Sequence, residues 1–77
     1  MITSGQIKAA RALIGWTARE LAAKADIGFS TLIRLESEEG VPSSNVRTLE
    51  AIKKAFEAQG IEFIGTSESQ AGVRWRK

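Results

Sequence analysis

The sequence predicts a mainly α-helical fold, a bundle of helices followed by a short pair of β-strands, and three observations carry that prediction. Apolar residues recur at spacings of three and four from Ile7 to Phe56, the period that lines one side of a helix. Thr3 with Gln6, and Thr17 with Glu20, stand at capping-box spacing and mark two helix starts. After Gly60 the pattern changes to short β-prone segments.

The first helix is expected to begin near Ser4, with Ile2 and Ile7 placed as a hydrophobic staple. Ile7, Ala10 and Ile14 share a face, with Leu13 beside it. Gly15 supplies a left-handed stop, and Trp16 folds back onto the apolar side. Thr17 starts the next helix at once, and Leu21, Ala22 and Ala25 form its apolar stripe. Ile27 puts an apolar side chain in the turn that follows. A third helix runs from about Phe29 to Ser37, anchored by Leu32 and Leu35, and stops ahead of Glu38, Glu39 and Gly40. Val41 to Ser44 read as a loop in which Ser44 or Asn45 caps a fourth helix. Val46, Leu49, Ile52 and Phe56 line that helix, and Gly60 closes it.

Ile61 to Ile64 and Val73 to Arg76 are the β segments, separated by GTSESQAG. Alternation places Val73 and Trp75 on one face, Arg74 and Arg76 on the other. A lone hairpin is marginal in water, so it must pack on the helices or join the same segments of a second copy. The second arrangement is the preferred expectation, because pairing exposed edges across a two-fold axis builds a larger sheet. Residues 1–60 then form the helical domain and 61–77 a dimerisation element whose contacts are Ile61, Phe63, Val73 and Trp75.

At 77 residues the chain reads as one domain near the size where a single core is just adequate, burying about 60 to 65% of the unfolded surface. Cysteine, histidine and tyrosine are all missing. Disulfides, thiolate metal sites and the commonest general base go with them, so neither an enzyme, a cofactor nor a metal is expected. No apolar run approaches the roughly 18 to 20 residues that span a bilayer, and no signal-peptide pattern opens the chain. A cytoplasmic protein without a membrane partner is expected. Net charge is +2. Arg74, Arg76 and Lys77 crowd one end while Glu36, Glu38 and Glu39 crowd the middle, so charge alone says little about nucleic acid.

The segment TARELAAKADIGFSTLIRLE, Thr17 to Glu36, therefore reads as two short helices at a tight turn. With Leu32 and Leu35 inward, the second helix turns Phe29, Ser30, Ile33 and Arg34 outward. An aromatic, a hydroxyl and a guanidinium at the leading end of a helix suit the reading of base edges in a groove. The segment resembles the helix-turn-helix of the lambda-repressor and Cro type, also called the XRE type. Leu21, Ala22, Ile27, Leu32, Leu35 and Glu36 fit its signature. Three positions depart: Ala18 stands where Gln is usual, Asp26 where the turn Gly is usual, and Gly28 where a capping Ser or Thr is usual. Asp tolerates left-handed backbone and Gly serves as a cap, so the turn is expected to survive.

The resemblance spans about Gln6 to Gly60 and implies a compact domain of four to five helices that binds double-stranded DNA. It places Arg34 at a base-facing position, where two parallel donors match the guanine edge. Ser30 and Thr31 lie in the leading turn; Phe29 and Ile33 either meet a thymine methyl or pack on protein. Thr17 and Arg19, with Ser43, Ser44, Asn45 and Arg47, surround two helix beginnings placed to hold phosphates. Arg11 and Glu36 match a family ion pair that sets the angle between helices. The resulting expectation is a homodimeric, sequence-specific transcriptional regulator, with repression favoured for so small a chain. The alternative is a protein-interaction module on the same fold, an antiactivator or antitoxin bound to a protein partner, favoured by Ala18, Phe29, Ile33, Glu38 and Glu39.

Overall fold

A computed structural model describes residues 2–42, 46–65 and 69–76. In chain order the elements are α1 (Ser4–Ile14), α2 (Ala18–Ala25), α3 (Phe29–Ser37), α4 (Val46–Glu57), β1 (Ile61–Ile64) and β2 (Gly72–Trp75). The mainly α fold with a C-terminal strand pair is the fold observed.

Local chemistry accounts for the helix boundaries. At α1 the Thr3 hydroxyl oxygen accepts from the Gln6 N–H at 3.1 Å, while Gln6 Oε1 accepts from the Thr3 N–H at 2.8 Å. Gly15 ends the helix in left-handed backbone at φ 73°. The same reciprocal cap joins Thr17 and Glu20 at 2.9 and 3.1 Å and opens α2. Asp26 closes α2 at φ 57°, its N–H donating to the carbonyls of Ala22 and Ala23. Gly28 precedes α3 with no side-chain bond to the helix end. Ser44 and Asn45, expected to cap α4, lie outside the described residues.

One core joins all of these elements. Ile7, Leu21, Leu32, Leu35, Ile52 and Phe56 are fully buried, and each such side chain removed from water contributes about 1.5 to 3 kcal/mol before conformational entropy is set against it. Trp16 stacks on Phe56 with centroids 5.4 Å apart, and Phe63 meets Phe56 edge-on at 6.0 Å. The residue beyond the α1 cap thus closes the core from the helical side while the hairpin closes it from the other.

β1 and β2 pair antiparallel, with Ile61 opposite Trp75, Glu62 opposite Arg74 and Phe63 opposite Val73. The preferred expectation put Ile61, Phe63, Val73 and Trp75 at a contact between copies. In the fold Ile61 is buried in this chain's own core, and Phe63 and Val73 pack against that core. Trp75 keeps an exposed edge while its indole N–H donates to the Gln59 carbonyl at 3.0 Å. The strands pack on α1 and α4, against the core that holds Ile7 and Phe56. Gln6 fastens it there, donating from its amide to the carbonyls of Ile64 and Gly72 at 3.1 and 2.9 Å. On the outer face Arg74 and Arg76 both pair with Glu62.

Candidate nucleic-acid interface

The rotation of α3 about its own axis is set from beneath. Leu32 and Leu35 have 0% exposure, Ile27 in the turn packs against the core, and the Ile27 N–H donates to the Ala22 carbonyl at 3.0 Å. With that face fixed, Ser30, Ile33 and Arg34 are exposed, and Phe29 and Thr31 are half-buried. Ile33 is 44% exposed, which is large for a branched aliphatic side chain on a domain this small.

Arg34 is oriented by a neighbour one turn on. Its Nη1 lies 3.0 Å from Glu38 Oε2 in an i,i+4 ion pair, with the Arg34 side chain 52% exposed. Glu38 is half-buried, and its carbonyl accepts from the Ser4 hydroxyl at the start of α1. Spacing alone carried the signal for this pair, since Arg34 and Glu38 stand four apart across the end of α3. Ser37 sits between them, its hydroxyl donating to the Arg34 carbonyl at 2.8 Å.

Phe29 packs its inner side against the core and carries the Arg19 guanidinium over its outer side, 4.1 Å from the ring centroid. Thr17 is exposed at the start of α2, and its hydroxyl oxygen is engaged by the capping box. That box also acts on Glu20: hydrogen bonds from the Thr17 backbone and then its side chain, with the nearby Lys24 charge, hold the Glu20 carboxyl below the usual range. Arg47 is exposed in the first turn of α4. Ser43, Ser44 and Asn45 lie outside the described residues.

Arg11 and Glu36 lie behind this surface. Arg11 donates from Nε and Nη2 to the two Glu36 oxygens at 2.7 and 2.8 Å, and from Nη1 to the Trp16 carbonyl at 3.2 Å. The hydrogen bond to Glu36 raises the Arg11 pKa beyond its ordinary value. The pair couples α1 to the end of α3 and so holds the tilt of the exposed helix. Among the described residues no cluster of three or more carboxylate, imidazole or thiol groups is placed to hold a metal ion. No helix among them is long and apolar enough to cross a membrane.

Two short helices joined by a tight left-handed turn, the second anchored by leucines and exposed on its far side, form a helix-turn-helix. Residues 7–58 match the helix-turn-helix family, more than half of the chain, and the chain belongs to it: a family of DNA-binding regulators of the XRE type. A comparison with curated proteins found no match.

Proposed function

We propose that the protein is a sequence-specific repressor that binds double-stranded DNA as a homodimer, each copy laying α3 in the major groove of one half-site. The observation that supports this most is the outward display of Ser30 and Arg34 from a helix whose Leu32 and Leu35 are wholly buried. Arg34 offers its fork of donors to a guanine edge, Ser30 and Thr31 serve the leading turn, and Ile33 meets a thymine methyl. Thr17, Arg19 and Arg47 hold phosphates on either side, fixing the register without reading sequence. Half-site centres then stand about 34 to 36 Å apart. Repression follows from occupancy of the duplex and needs no further domain.

Dimerisation through the hairpin draws support from its outer features. The sheet has two strands, so each presents an outer edge, and Ile64 and Trp75 keep apolar surface exposed beside those edges. The ion pair between Arg34 and Glu38 favours a second reading, a protein-interaction module, because a carboxylate beside the reading helix opposes a phosphate backbone.

Selection of duplexes from a random pool by the purified protein, followed by titration at two salt concentrations and sedimentation of the free protein, tests the proposal. A recurrent palindromic motif, binding that weakens steeply with salt, and a dimer in solution are expected. A chain that enriches no motif while co-purifying stoichiometrically with one protein answers to the second reading.

A further inference from the structure

We propose that Phe29 is a positioning residue: its ring holds the Arg19 guanidinium at the flank of α3, where Arg19 grips a backbone phosphate next to the bases that the helix reads. This rests on the reading of α3 as the DNA-facing helix. Phe29 opens α3, at the first outward position, where an aromatic ring has no donor or acceptor to offer a base. Its inner side is occupied by the core and its outer side by Arg19, 4.1 Å from the centroid.

The geometry suits that task. A guanidinium held over a ring by its central carbon, as Arg19 is, is attracted by the face of the ring and keeps N–H donors for an acceptor alongside. An arginine at an exposed helix start otherwise has a wide choice of rotamers, and ordering it on contact with DNA works against affinity. Phe29 restricts that choice before the duplex arrives. It does so from a fixed platform, since the Thr17–Glu20 capping box sets the start of α2 and the core sets the ring. Two residues from opposite sides of the turn thereby act as one unit. The bases are read by the neighbours of Phe29, and the ring reads none.

A double-mutant cycle in DNA binding tests this, using duplexes selected by the wild-type protein and an unrelated duplex of equal length. Phe29→Leu keeps an apolar side chain on the core and removes the ring; Phe29→Tyr keeps the ring; Arg19→Gln removes the cation. Phe29→Leu is expected to weaken binding about three- to tenfold on both duplexes and to flatten the salt dependence by up to about one phosphate. Phe29→Tyr should retain wild-type binding. Phe29→Leu should have no further effect once Arg19→Gln is present, and its melting temperature is followed so that binding is compared between folded proteins. Additive losses in the cycle, or a change in the preferred base at one position in Phe29→Leu, would overturn the proposal while leaving DNA recognition by α3 intact. A wild-type protein that selects no duplex at all would overturn both.

Discussion

The Glu36 carboxylate at the end of α3 is gripped by both Nε and Nη2 of Arg11 from α1, at 2.7 and 2.8 Å. The Glu36 side chain is only 9% exposed, so loss of the arginine strands a nearly buried charge. Such a loss costs about 3 kcal/mol, and a domain of this size then melts at least about 10 °C lower. Arg11→Ala is therefore expected to fail in thermal denaturation long before its DNA affinity can be judged. Melting within a few degrees of the wild type would show that the pair contributes little to the fold.

Glu38 faces Arg34 across a single turn of exposed helix and competes with any acceptor for its guanidinium. Surface pairs of this kind contribute about 0.5 kcal/mol or less, so Glu38→Gln should leave stability nearly unchanged. Removing the carboxylate also removes its repulsion of phosphate. Binding about two- to fivefold tighter on selected and unrelated duplexes alike is expected in titrations at low salt, fading as salt rises. Weaker binding would mean that Glu38 orients Arg34 for the duplex.

Asp26 occupies left-handed backbone at φ 57° where glycine meets no steric penalty. Its side chain is exposed and the turn needs only its N–H, which bonds the end of α2. Asp26→Gly is expected to stabilise the protein by about 0.5 to 1 kcal/mol, measured by denaturant unfolding with an unchanged slope. Asp26→Ala should destabilise it, and the reverse order would contradict the conformational argument.

Glu20 provides a pH dependence whose sign follows from its depressed pKa. A carboxyl that ionises more readily in the folded state adds stability at pH values above its unfolded pKa, and the contribution disappears as pH falls through the folded one. The first turn of α2 should fray in acid ahead of the other helices. Titration of the Glu20 side-chain carbon resonance, with amide exchange at Glu20 and Leu21, is expected to show a low midpoint and parallel loss of protection. An ordinary midpoint would indicate an open capping box.

Much of the architecture was legible because it is written locally. Thr3 and Gln6, Thr17 and Glu20, and Gly15 act on backbone within a turn of themselves, and the boundaries they predict for α1 and the start of α2 agree with those observed; α4 ends at Glu57, three residues ahead of Gly60. Leu32 and Leu35 likewise set which side of α3 is exposed. The contacts that shape the surface depend on which elements come together, and spacing along the chain does not encode that. Nothing near Gln6 announces that its amide reaches the hairpin carbonyls 58 and 66 residues away, and nothing near Ser4 announces its bond to the Glu38 carbonyl. The placing of Arg19 over Phe29 needed the angle between α2 and α3 before it could be seen. The seating of the hairpin depends on the same information: the apolar surface that Ile61, Phe63 and Val73 pack against exists only once α1 and α4 are together.

The most direct test of the central claim is the affinity of Arg34→Ala, compared with wild type, for a selected duplex and for an unrelated one. If the exposed side of α3 reads bases, the substitution should cost about 1 to 3 kcal/mol on the selected duplex and little on the other, with unchanged melting. Equal losses on the two duplexes, or no loss on either, would contradict the claim.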